Sequence, residues 1–418
     1  MGLRGRRWAA DRQNLIRVMP AQGWWRSGPA REGPVHTRRE SKLDAVIVGG
    51  GVIGLACAWR AARRGLRVRV LERDQPGDGA SGVAAGMLAP VGEATWGEDE
   101  LLGFALESHR RWPGFAAQLS DGAGTEAGFV EPGAVHVALD RDEAEALRRR
   151  FELMRSVDLE AEWLSAREVR ALEPGLVPSA SAGVHAPHES AADPRVLLAA
   201  LRAAAEAAGA EVVASAEVVE AILDDGRLAG VRTADGAEHR AERTVLAAGA
   251  WSGDAAWLPP ELRPPVRPVK GEILTLRGSA SEPVCEHVVV TERVYIVPRP
   301  DGRLIVGATV LDRGFDTQVT AGGVYELLRE AYRALPEVAE LELAEATAGL
   351  RPGTPDNAPL IGPAELEGLL LATGHFRNGI LLAPATAEAI AAMLADEEPE
   401  IDVGAFSAAR FGAEAVAR

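Results

Sequence analysis

Between residues 44 and 74 the spacing of the apolar positions changes and predicts three elements. Residues 45–48 are continuously apolar and β-branched, as in a strand buried on both faces. Residues 52–64 place Ile53, Ala56, Cys57, Trp59 and Ala61 at helical spacing, and Gly65 stops the helix. Residues 68–71 return to a strand, closed by Glu72. Further on, the pattern predicts helices over 99–119, 140–155, 165–174 and 194–208. Asp140 with Glu143 has the spacing of a capping box. Short strands are predicted in 128–139, at 211–213 and 216–221, and in a meander of 228–233 and 239–241 about Gly236. Residues 244–252 read as a buried strand entering a glycine turn, suited to rejoining the first sheet.

Past the proline-rich stretch 259–268 the pattern becomes antiparallel. Strands are predicted at 272–276, 288–290, 294–298 and 304–309, with a hairpin turn at Asp301-Gly302. A helix over 323–334, a strand at 369–372 and a last helix over 384–394 complete the chain. The fold class expected is α+β: a Rossmann-like α/β nucleotide-binding domain with an inserted antiparallel-sheet substrate domain. Residues 43–125, 183–258 and 344–398 are assigned to the first domain, and 126–182 and 259–343 to the second.

Composition narrows the partners. The net charge of −16 argues against nucleic acid and against an anionic membrane surface. The two cysteines, Cys57 and Cys285, form no disulfide framework or metal cluster, so no metal is expected and a reducing, cytoplasmic setting is. No apolar run reaches the length of a spanning helix. Residues 1–42 are arginine-rich and lack apolar periodicity, so they are expected to be a disordered leader, with the natural start nearer Val35.

The chemistry gathers in four places. Gly49, Gly51 and Gly54 stand in G-x-G-x-x-G spacing between the first strand and helix. The glycines allow a tight turn, close approach of a pyrophosphate and tight helix packing. Glu72, about twenty residues on, can accept hydrogen bonds from a ribose. Residues 78–90 are small and apolar, a stretch expected to pass close to a flat ligand. Arg351 stands among glycines and prolines, where its guanidinium could grip a carboxylate; a surface salt bridge is the alternative. Residues 374–380 lead into the last helix, with Pro384 in its first turn, as a second backbone anion site. For His375, a structural role is favoured over that of a catalytic base.

The motifs VIVGGGVIGLACA, ASGVAAGMLAP, VYIVPRPDGRLIVGAT, AGLRPGTPDNAPLIG and LLATGHFRNGILLAPAT resemble the D-amino-acid oxidase superfamily, and within it the glycine oxidases of thiamine biosynthesis. The resemblance covers 43–395 and implies FAD as cofactor. It implies that Val52 and Ile53 hold FAD at the helix start, and Glu72 and Arg73 at the ribose. Ala80, Ser81, Ala85, Gly86 and Met87 would line the pyrophosphate and isoalloxazine, Val218 the adenine, and His375, Phe376, Arg377, Asn378, Gly379, Ile380 and Leu381 the flavin ring. Arg351 would bind the substrate carboxylate, with Tyr295 and Arg377 beside it. The chain departs from its relatives at Asn357, where glycine is common, and at Val310, where some have a larger Met.

The function expected is FAD-dependent oxidation of glycine or a similarly small amino acid, with oxygen as acceptor and thiazole synthase as a candidate partner. A homo-oligomer is expected. The alternatives are a D-amino-acid oxidase or dehydrogenase of the same fold, or a flavin-binding partner subunit with little turnover.

Overall fold

The computed structural model describes residues 42–92 and 97–412, so the expected leader lies outside it apart from Lys42. β1 (Leu43–Val48) passes through a glycine turn into α1 (Val52–Arg63) and β2 (Val68–Leu71). Then come α2 (Ala80–Val83), β3 (Met87–Leu88), α3 (Asp99–Ala123), β4 (Phe129–Val130), β5 (Ala134–Ala138) and α4 (Arg141–Ser156). β6 (Glu162–Ser165), α5 (Ala166–Leu172), β7 (Ala182–Ala186), β8 (Ser190–Ala192) and α6 (Pro194–Ala207) follow. Next are β9 (Glu211–Val213), β10 (Val218–Asp224), β11 (Arg227–Thr233) and β12 (Glu238–Leu246). The last part holds β13 (Arg267–Arg277), β14 (Val288–Val290), β15 (Tyr295–Pro298), β16 (Arg303–Gly307), α7 (Ala321–Ala334), β17 (Glu342–Gly353), β18 (Leu360–Pro363), β19 (Leu369–Thr373) and α8 (Gly379–Leu394).

The first sheet is parallel at its centre. β1 lies between β2 and β12, β9 extends it beyond β2, and β19 lies on the far side of β12. Alternation along β1 explains the layers: Ala45 and Ile47 pack under α1, α3, α6 and α8, while Val46 and Val48 face the opposite core with Leu246 and Leu371. β12 is one strand rather than the two pieces the pattern suggested. Its first half pairs with β11 and alternates exposed with buried; its second half is flanked by β1 and β19 and is buried.

The second sheet runs β17-β13-β16-β15-β14-β5-β7-β6. β7 and β17 belong to it, although residues 183–258 and 344–398 were assigned to the nucleotide domain. Leu274, Leu276, Ile296 and Val306 on one face pack against Leu327 and Ala331 of α7. Ile273, Val297 and Ile305 on the other face pack with Ala85 and Ala191. The last helix starts at Gly379, so Pro384 stands inside it rather than in its first turn. Proline supplies no N–H and opens the local ladder. The next N–H, of Ala385, donates to Ser108 Oγ of α3 at 3.3 Å, and Ser108 and Trp112 donate to the Leu381 carbonyl at 2.7 and 3.0 Å.

Candidate active site

A cavity of about 510 Å³ runs from the turn after β1 to the second sheet. At its first end Gly49 has φ +113°, and a Cβ there would collide with the Ala247 carbonyl, so only glycine fits. Gly54 is off the wall: it lies behind the turn, where a Cβ would strike the Gly49 carbonyl. Gly51 leaves the backbone bare at the start of α1, whose first turn carries no acidic side chain. The Val52 N–H donates to Ser81 Oγ at 3.1 Å, joining the start of α1 to α2. Glu72 accepts the Gly50 N–H at 2.6 Å on one oxygen and the Asp74 N–H at 3.1 Å on the other. Its carboxylate therefore shapes the turn and retains lone pairs for a ligand. Arg73 lies over the Trp251 ring at 4.6 Å, and Trp251 stacks on Phe315 at 5.8 Å. Ile53, Ala80, Ala85, Gly86, Met87 and Val218 also line the cavity.

Tyr295 and Arg351 come together at the other end, on β15 and β17. Each lies over a glycine on a neighbouring strand. A Cβ on Gly271 would occupy the Arg351 guanidinium, and one on Gly307 would occupy the Tyr295 ring. Arg351 Nη1 donates to the Thr309 carbonyl at 2.9 Å, which fixes the head and leaves the fork other donors. Val310 is 58% exposed and is not on the cavity wall; Ala308 is. The width of this end is therefore set by Ile273, Tyr295 and Ala308 rather than by residue 310.

The loop before α8 closes the third side. The Phe376 N–H donates to the Pro352 carbonyl at 3.0 Å, tying the loop to β17. Arg377 lies over the Phe376 ring at 5.2 Å and lines the cavity with Gly379 and Ile380. The first turn of α8 carries no acidic side chain, so its N-terminal N–H groups present a positive dipole end. Asn378 and Leu381 are buried off the wall. His375 is 2% exposed and shares a 3.0 Å hydrogen bond between Nε2 and Thr386 Oγ1. Burial lowers its pKa to about 3, so it is neutral and holds the loop.

The residues fit FAD. Bare backbone at Gly51, two helix starts without acidic side chains and a carboxylate at Glu72 suit a dinucleotide. Reading the sequence did not select Gly271, Ile273, Ala308 or the turn at 248–251, all of which line the cavity. A glycine inside a strand, as at Gly271, was the available signal of close approach. Among the described residues no group of three or more His, Cys, Asp or Glu side chains could hold a metal, and no helix is long and apolar enough to cross a membrane.

A family profile described as "DAO: FAD dependent oxidoreductase" matches residues 44–393. Glycine oxidase of Geobacillus kaustophilus (strain HTA426) is 36% identical over 374 residues, covering 88% of this chain and 97% of that protein. The bifunctional protein ThiO/ThiG of Trichormus variabilis is also 36% identical over 374 residues, covering 89% of this chain but 56% of that longer protein. The crystal structure of glycine oxidase from Geobacillus kaustophilus matches with a TM-score of 0.82 at 35% identity, covering 88% of this chain and 99% of that one.

Proposed function

This chain belongs to the DAO family of FAD-dependent oxidoreductases and is an FAD-dependent amino-acid oxidase, and we propose that its substrate is glycine or a similarly small amino acid. The products are the imine and hydrogen peroxide, and hydrolysis of the imine gives the 2-oxo acid and ammonia. The observation that carries this reading is the pairing of Arg351 and Tyr295 on glycine floors at one end of the cavity.

Arg351 holds the substrate carboxylate through the donors it does not spend on Thr309. Tyr295 and Arg377 complete that end of the site. The nucleotide is held by Gly49, Gly51, Val52, Ile53 and Glu72, with Arg73, Ser81 and Val218 along it. When bound, FAD supplies acceptance of hydride from the substrate Cα and reoxidation by molecular oxygen. The chain's contribution is to hold the carboxylate so that Cα is fixed in place, with the amine neutral; positioning carries the rate. His375 is a poor base, because burial disfavours its protonated form and its Nε2 is engaged with Thr386 Oγ1. The imine either hydrolyses or passes to a thiazole synthase making the thiazole of thiamine. The joining of the two named parts in the Trichormus protein supports that route.

The test is peroxide release from glycine, sarcosine and D-alanine by FAD-loaded protein. Glycine should give the highest kcat/KM. A clear preference for D-alanine would move the chain to the D-amino-acid oxidases, and no peroxide from any of the three would overturn the proposal.

A further inference from the structure

Arg299 follows β15 and is 5% exposed. Its Nη2 donates to the Ala85 carbonyl. Its Nε lies 4.0 Å from Asp193 Oδ2, but that oxygen already accepts Arg303 Nη2 at 2.6 Å. The other Asp193 oxygen caps α6 through the Arg195 and Val196 N–H groups, at 3.0 and 3.4 Å. Arg299 Nε and Nη1 have no hydrogen-bond partner. One carboxylate thus serves two guanidinium groups, and the buried charge of Arg299 is only partly compensated. Burial lowers its pKa to about 10, opposed by Asp193, so it stays charged at neutral pH. A thinly paired buried charge is costly and calls for a role.

Ala85 supplies that role. It lines the cavity and packs with Ile273, Met87 and Tyr295, at the second-sheet end. The Ala85–Gly86 peptide is trans, so the Ala85 carbonyl and the Gly86 N–H point in opposite directions. The carbonyl points to Arg299, which is off the cavity wall; the N–H lies on the side away from Arg299, and Gly86 itself lines the cavity. Gly86 cannot turn away. It has φ +71°, a Cβ there would collide with the Ala192 carbonyl, and its own carbonyl accepts the Ala192 N–H at 2.8 Å. A cation on the carbonyl polarises the amide and strengthens the N–H as a donor.

We propose that Arg299 is a positioning residue that presents the Gly86 N–H, as a strengthened donor, to the ring end of bound FAD. A donor there favours the negative charge that FAD gains on reduction. The proposal rests on FAD occupying the cavity and not on glycine being the substrate.

The midpoint potential of FAD-loaded wild type, Arg299→Met and Arg299→Lys tests it without any substrate. Arg299→Met should weaken binding of reduced FAD about tenfold more than that of oxidised FAD, a fall of about 30 mV in the midpoint for a two-electron couple. Arg299→Lys keeps the charge and should recover part of the fall. A merely structural arginine would lower the melting temperature and leave the potential where it was; that result would overturn the proposal. Should Arg299→Met not fold, residue-resolved hydrogen exchange on the wild type still decides. FAD loading should slow exchange of the Gly86 amide about tenfold or more, as a new hydrogen bond at that group requires. Equal exchange with and without FAD would overturn the proposal.

Discussion

The guanidinium of Arg351 rests where a side chain on Gly271 would have to be. The two residues sit on paired strands, with Gly271 opposite Gly349 and Arg351 opposite Val269. The anchor proposed for the substrate carboxylate thus depends on a neighbour that contributes no side chain.

Arg351→Ala should lower kcat/KM for glycine by about 30- to 5000-fold, as expected for a charge-assisted contact of roughly 2–5 kcal/mol. Arg351→Lys should recover part, because an ammonium keeps the charge and not the fork. Gly271→Ala should approach the loss of Arg351→Ala by displacing the guanidinium. FAD content, read from the visible absorbance, should be unchanged in all three. Normal kcat/KM in flavin-loaded Arg351→Ala would make Arg377 the better candidate anchor.

Glu72→Ala should weaken FAD retention. The change removes the acceptor of the Gly50 and Asp74 N–H groups together with a carboxylate on the cavity wall. Loss of one charged hydrogen-bond acceptor corresponds to about 1.5–3 kcal/mol, a factor of about 10 to 150 in FAD dissociation constant. Titration of apoprotein with FAD gives the constant, and an unchanged value would remove Glu72 from the site.

His375 makes stability depend on pH. Its folded pKa, about 3, lies below the ordinary value of 6.5. Between these values the unfolded chain binds a proton that the folded chain does not, so stability falls as pH falls below about 6.5. From pH 7 to 5 the contribution is about 2 kcal/mol. Urea unfolding at both pH values should show a smaller drop for His375→Asn than for wild type. An equal drop would mean that His375 titrates normally in the fold.

Lys270 and Glu272 are both fully buried, 3.5 Å apart, on the face of β13 turned away from the cavity. Lys270 also binds Asp316 at 3.1 Å, and Glu272 accepts the Thr320 N–H at 2.9 Å at the start of α7. Lys270→Met should cost about 3–5 kcal/mol, because it strands Glu272. Adding Glu272→Gln should return part of that loss. Chemical denaturation of these two variants and of Glu272→Gln alone gives the coupling, and simple additivity would show that the two charges do not interact.

Elements whose pattern is local were legible in the sequence. The strand, glycine turn, helix and acid of residues 44–74 form as read, because each depends on spacing within one short stretch. Long-range pairing was not legible. β17 joins β13 by register and β7 lies between β5 and β6, neither of which a linear pattern records. The floor glycines escaped notice for the same reason. Gly307 matters because Tyr295 is its cross-strand partner, and that is a fact about two strands. The resemblance places Asn378 and Leu381 along the flavin ring with their neighbours; both are buried off the cavity wall, a burial that a linear pattern does not record.

β13 alternates two incompatible demands. Gly271 and Ile273 face the cavity, while Lys270, Glu272 and Leu274 face the buried side. The side-chain period of a strand is two, so losing or gaining one residue here exchanges the faces. A single-codon deletion ahead of Gly271 would bring a lysine or glutamate under Arg351 and leave a glycine where α7 needs its anchor. Substitutions along this strand can be graded; a change in its length cannot. Among variants of this chain that keep activity, insertions and deletions should be sparser in residues 267–277 than in any exposed loop, whatever the tolerance to point changes there.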